Sequence, residues 1–169
     1  FQRNIIYVQN VKGREKMESI SLLGLLGVCS IMDISKRKIS SAVVYGFGIL
    51  GIIWHIAFQR LELRSIAGGM LIGIVLYVIS VISHEKIGKG DAILFIVTGI
   101  YLGFWNNIWL LWSASVIVAL YGLAFVFIHY RIKQEKIETE SVKETKLPFV
   151  PFVMVSFLFC LWKWGGILV

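Results

Sequence analysis

Residues 108–130 read IWLLWSASVIVALYGLAFVFIHY, and residues 66–83 read IAGGMLIGIVLYVISVIS. Neither run contains an Asp, Glu, Lys or Arg. Crossing the hydrocarbon core of a bilayer as a helix takes about 18–20 apolar residues, and both runs reach that length. Together they decide the fold class: an all-α, polytopic membrane protein.

The composition of the whole chain agrees. Of its 169 residues, 57% are hydrophobic and 16% charged. An ordinary soluble domain is nearer 45–50% apolar and about 25% charged. Outward from the two decisive runs, four further apolar stretches stand out, giving about six transmembrane helices: Ser19–Met32, Ser40–Phe58, Ile66–Ser83, Ala92–Phe104, Ile108–Tyr130 and Phe149–Val169. The connections are Asp33–Ile39, Gln59–Ser65, His84–Asp91, Trp105–Asn107 and Arg131–Pro148. Ser19–Met32 and Ala92–Phe104 are short, about 20 Å each against a core of roughly 30 Å. Helix beyond these bounds or a locally thinned bilayer would account for that. The pairs Gly69–Gly73 and Gly99–Gly103 each make a GxxxG, the spacing that lets helix backbones approach closely in lipid.

The net charge of +7 comes from 17 Lys and Arg against 10 Asp and Glu. No basic stretch is interleaved with aromatics, so no nucleic-acid partner is read. The basic residues instead orient the helices beside a lipid bilayer. Lys36, Arg37, Lys38, Lys86, Lys89, Arg131, Lys133, Lys136, Lys143 and Lys146 fall in three loops on one side. The opposite inter-helix loops hold Arg60 and Arg64. The positive-inside rule makes the first set cytoplasmic. Trp54, Trp105, Trp109, Trp112, Trp162 and Trp164 all fall toward the other face, where an indole suits a membrane boundary. The basic residues Arg3, Lys12, Arg14 and Lys16 run against this orientation. Cys29 and Cys160 both lie in apolar segments and read as small buried hydrophobes.

The chain has two aspartates, Asp33 and Asp91, each where an apolar run meets a short basic loop on the same predicted side. Ionisable groups at the membrane edge are expensive to keep there and carry a functional meaning by default. Two carboxylates brought together do not both ionise, so one holds a proton while the other is charged. The charged member takes a proton from water and the protonated member polarises a carbonyl, which is peptide hydrolysis without a metal or a covalent intermediate. Gly88 and Gly90 precede Asp91 and let the backbone turn sharply and approach a neighbour. Asp91 then opens a helix, whose dipole favours an anion.

Here the sequence resembles the type IV prepilin peptidases. Gly88-Lys89-Gly90-Asp91 matches the GxGD signature that prepilin and preflagellin peptidases share, and more distantly the presenilin-type proteases. Asp33-Ile34-Ser35-Lys36-Arg37-Lys38-Ile39 is similar to the family's first aspartate motif. Leu147-Pro148-Phe149-Val150-Pro151-Phe152 is similar to the PFGPF element opening the last helix. Ser40 stands where the family usually has Pro, and Val150 where PFGPF has Gly.

The resemblance implies a metal-independent aspartic endopeptidase with Asp33 and Asp91 catalytic and no cofactor. Gly88, Gly90, Lys36, Arg37, Lys38, Pro148, Phe149 and Pro151 would be supporting motif positions. The substrate it implies is a prepilin-like precursor, a basic leader followed by an apolar helix, cut at the cytoplasmic face of the cell membrane. It divides the chain into a tail, residues 1–17, and a membrane peptidase domain, 18–169. Many members also carry a cysteine-rich region and methylate the new N-terminus. This is the short form without that region, so peptidase activity without methyl transfer is expected.

Two other functions fit paired membrane acids: a small proton- or cation-coupled transporter component, and a non-catalytic subunit of a pilus or secretion assembly. Discontinuous helices in related halves would mark a transporter, and no repeat is visible. His55, His84 and His129 are scattered and make no metal site by spacing. His84 and Glu85 read as solvated neighbours of Asp91. Glu135, Glu138, Glu140 and Glu144 belong to a mixed-charge loop. No serine or cysteine has a base beside it in sequence, so no nucleophile is read.

Overall fold

The computed structural model describes residues 2–36, 39–58, 62–83, 88–133 and 148–163. These residues form five helical elements and no strand: α1 (Gln2–Lys36), α2 (Ser41–Phe58), α3 (Leu63–Ile82), α4 (Lys89–Lys133) and α5 (Val150–Lys163). Among the described residues three stretches are long and apolar enough to cross a membrane, Met17–Ser35, Leu63–Ile82 and Lys89–Ile128. Ser41–Ala57 and Val150–Lys163 are shorter apolar helices.

α4 is a hairpin rather than a rod. Asn107 Nδ2 donates to the carbonyl of Phe95 at 3.1 Å. Twelve residues along a straight helix would separate them by about 18 Å, so the chain doubles back between them. The reversal is at Gly103, with φ 70° and ψ −171°, a backbone region essentially confined to glycine. The sequence reading put the turn at Trp105–Asn107; the structure moves it to Gly103, and Phe104–Asn107 already belong to the second arm. Asn107, expected in a loop, is fully buried. It also donates to the Gly69 carbonyl at 3.0 Å and accepts from the Thr98 hydroxyl at 2.8 Å. A buried amide satisfied this way pins both arms to α3.

The first arm of α4 packs closely on α3. A Cβ on Gly69 would strike the Gly99 carbonyl, and one on Gly73 would strike the Ile96 backbone nitrogen. Gly69 therefore lies against Gly99 and Gly103, the close backbone packing that the GxxxG spacing predicts, while Gly73 meets Ile96. On its other side the first arm meets α2, where the Tyr101 hydroxyl donates to the Phe47 carbonyl at 2.9 Å.

α1 carries a buried stripe, Leu22, Leu25, Leu26 and Cys29, at helical spacing. Against it lies the stripe of α5, Val150, Val153, Phe157 and Leu161. The short span Ser19–Met32 is corrected: α1 is helical well beyond both bounds. Asp33, expected to open a loop, sits inside its last turn. Trp54, Trp105 and Trp162 stand at the end of the bundle away from the two aspartates, near the close of α2, the hairpin turn and the close of α5. Trp164 lies outside the described residues.

Candidate active site

Asp33 continues the buried stripe of α1 one turn past Cys29, which is why a carboxylate ends up buried there. The C-terminal end of a helix is a poor place for an anion, because its last carbonyls point outward. α5 supplies the compensation. Its first residue, Val150, donates its backbone N–H to Asp33 Oδ2 at 3.1 Å. Pro151 has no N–H, while Phe152 and Val153 donate to the Phe149 carbonyl at 3.1 and 3.3 Å. The Val150 amide is thus the donor that α5 aims at Asp33, from the positive end of the helix dipole.

Phe149 fixes that approach. Its ring lies 6.2 Å from the ring of Phe95, on the helix opened by Asp91. Phe152 in turn packs on Tyr121 of the second arm, ring centroids 5.2 Å apart. The Pro148–Phe152 stretch therefore wedges between the helix of Asp33 and both arms of α4.

Asp91 lies half-buried in the first turn of α4. The turn starts at Gly88, whose carbonyl accepts from the amides of Asp91 and Ala92 at 3.1 and 3.2 Å. Each glycine of Gly88-Lys89-Gly90-Asp91 has a separate steric reason. A Cβ on Gly88 would come within 2.8 Å of Asp91 Oδ2, crowding the carboxylate. One on Gly90 would press on Ile39 at 3.2 Å. Gly90 and Ile39 are thus the contact through which the two aspartate motifs meet.

The helices bring the two aspartates to one end of the bundle, where Ile39, six residues after Asp33, lies against Gly90, the residue before Asp91. Lys36 closes α1, and Pro148 leads into α5. Arg37, Lys38, His84, Glu85, Glu135, Glu138, Glu140 and Glu144 lie outside the described residues. His55 is buried near the end of α2, far along the bundle from Asp91, and neither ring nitrogen has a hydrogen-bond partner among the described residues. Among those residues no three of His, Cys, Asp and Glu gather as a metal-binding set.

Sequence reading missed two neighbours of Asp33. Cys29 was visible, since it stands four residues before Asp33 on the same helical face. The Val150 amide carried no signal of its own, because a backbone donor is the same in every residue but proline.

The model of a family described as "Type IV leader peptidase family" matches residues 20–123. Both aspartates lie inside the matched stretch and α5 lies beyond it. No curated protein and no solved structure gives a match.

Proposed function

The chain belongs to the type IV leader peptidase family, and from that premise we propose that it is a membrane aspartyl endopeptidase using Asp33 and Asp91 as a catalytic pair. Its substrates are prepilin-like precursors, cut between a basic leader and an apolar helix. The observation that carries the reading is that the two aspartate motifs meet at one end of the bundle, through Ile39 against Gly90, with Asp33 braced by the start of α5.

A water held between the two carboxylates loses a proton to the charged one, and its oxygen attacks the scissile carbonyl. The protonated partner donates to the carbonyl oxygen as the tetrahedral intermediate forms. Collapse passes a proton to the leaving nitrogen and releases both fragments. No metal takes part in this scheme. Folding α4 into two arms gives six apolar helices with α1, α2, α3 and α5, and we read these as six spans. The basic loops then orient the aspartate end toward the cytoplasm.

The test is cleavage of a precursor by the native protein in lipid vesicles, with and without a chelator. A single cut at the leader boundary, unchanged by the chelator, is expected. Absence of the cut, or its loss with the chelator, would sink the reading.

Val150→Pro probes the brace on Asp33. It deletes the one N–H while keeping a residue that suits the first position of a helix. A hydrogen bond to a charged acceptor is worth about 1.5–3 kcal/mol, so kcat should fall roughly 10- to 100-fold. Val150→Ala keeps the N–H, and its kcat should stay within about threefold of native. Equal kcat in all three proteins would show that the amide does not serve the chemistry.

A further inference from the structure

α5 meets the second arm of α4 along one face. Phe152, Ser156, Cys160 and Lys163 recur at the spacing of a single helix stripe and run the length of α5. Opposite them, in reverse order, lie Tyr121, Ser113 and Trp109. The Phe152 and Tyr121 rings stand 5.2 Å apart at the aspartate end. At the far end the Lys163 ammonium sits over the Trp109 ring, 5.2 Å from its centre. Between these two contacts the seam holds a pair of hydroxyls.

Ser156 is fully buried, and its Oγ lies 2.5 Å from the Oγ of Ser113. The Ser113 hydroxyl also reaches the carbonyls of Trp109 at 2.6 Å and Leu110 at 3.2 Å, one turn back on its own helix. Those carbonyls fix it to the backbone of the second arm. The Ser156 hydroxyl reaches the Leu110 carbonyl as well, at 3.4 Å, so it too is tied to the second arm. Cys160 Sγ stands 4.0 Å from the same Ser113 oxygen. Apolar side chains attract one another without direction, whereas a hydrogen bond holds a length and an angle. The hydroxyl pair is thus the feature of this seam that resists sliding of one helix along the other.

Sliding would be felt at the first residue of α5. Amides at a helix N-terminus point out along the axis, and the Val150 N–H meets Asp33 Oδ2 at 3.1 Å. A shift of α5 by about 1 Å away from Asp33 would stretch that contact beyond hydrogen-bond range. Ser156 lies six residues further along the same unbroken helix, about 9 Å away. A displacement at one is therefore carried to the other.

We propose that Ser113 and Ser156 are positioning residues of the peptidase: their hydroxyl pair fixes α5 along the bundle axis and so holds the Val150 amide on Asp33. This role rests on the peptidase reading above and accounts for the reach of the brace.

A double-variant cycle on precursor cleavage in lipid vesicles tests it. Hydrogen bonds between helices in lipid are individually weak, so Ser156→Ala and Ser113→Ala should each lower kcat about three- to tenfold, with KM within about twofold of native. In the Val150→Pro background, which lacks the amide, Ser156→Ala should lower kcat no further. Ser115→Ala removes an exposed hydroxyl of the same arm that bonds to the Leu111 carbonyl at 2.8 Å, and it should keep native kinetics.

Should Ser156→Ala fail to fold, Ser113→Ala carries the same cycle. Hydrogen exchange of the Val150 amide, followed by NMR on valine-labelled protein, reads the brace without activity. It should quicken in either serine variant of the pair and stay native in Ser115→Ala. Native kcat in both variants, an equal fall with and without the Val150 amide, or unchanged Val150 exchange would overturn the proposal while the peptidase reading stands. Absence of cleavage by the native protein would overturn both.

Discussion

Asp91→Asn is expected to abolish leader cleavage in a protein that still folds. The substitution keeps the shape of the side chain and its place above Gly88, so the first turn of α4, held by the Gly88 carbonyl, has no reason to change. It removes the group that exchanges a proton with water or the scissile carbonyl. Acid–base groups contribute about 100- to 10,000-fold each, and members of one catalytic unit fail together rather than additively. The rate should therefore fall about ten-thousand-fold, and the double variant with Asp33→Asn should be no slower than either single one. Asp33→Asn is the sharper control. Its amide oxygen still accepts from the Val150 N–H, so the brace survives and only the charge is lost. Measuring cleavage beside thermal unfolding in the same detergent separates chemistry from collapse. Folded single variants that retain native rates would exclude both aspartates from catalysis.

The two aspartate motifs were legible because their roles are local. Gly88 and Gly90 announce a place where a Cβ does not fit, and the structure supplies the obstacles, Asp91 itself and Ile39. The facing glycines of α3 and α4 were legible for the same reason. What stayed hidden depends on partners distant in sequence. Hydropathy placed Asp33 at the edge of an apolar run, where a loop is as good a reading as a last helical turn. Only the packing of α1 on α5 makes it a buried helical residue. Asn107 looked like a loop residue because it follows Trp105 and Asn106. It donates to the Gly69 and Phe95 carbonyls and accepts from the Thr98 hydroxyl, and no local rule connects it to any of the three. The reversal at Gly103 was obscured because Gly99 and Gly103 form one GxxxG. One of the two serves packing and the other also turns the chain.

Gly99→Leu should be the most destabilising single change in the helical framework. A mere Cβ at Gly99 would already collide with the Gly69 carbonyl and come within 2.8 Å of the Met70 nitrogen. These are backbone atoms inside α3, so no rotamer change relieves them. α3 and the first arm of α4 would have to separate, and three other features depend on their closeness. Asn107 reaches the Gly69 carbonyl at 3.0 Å only while the helices touch. The Phe104 amide donates to the Ser65 hydroxyl at 3.4 Å at the same crossing. Further along, Gly73 meets the backbone of Ile96, so the separation cannot be confined to one level. Overpacking a filled core costs about 1–3 kcal/mol even where side chains adjust, and here they cannot. The loss should therefore exceed about 3 kcal/mol, enough to consume much of the stability of a typical domain. Gly122→Leu is the matched control, because nothing lies within 4 Å of a Cβ built there. It adds the same side chain to the same α4 and should leave the unfolding midpoint near the native value. Comparable midpoints for the two leucine variants would mean that α3 and α4 do not cross in contact at Gly69 and Gly99. The hairpin would then need a different arrangement.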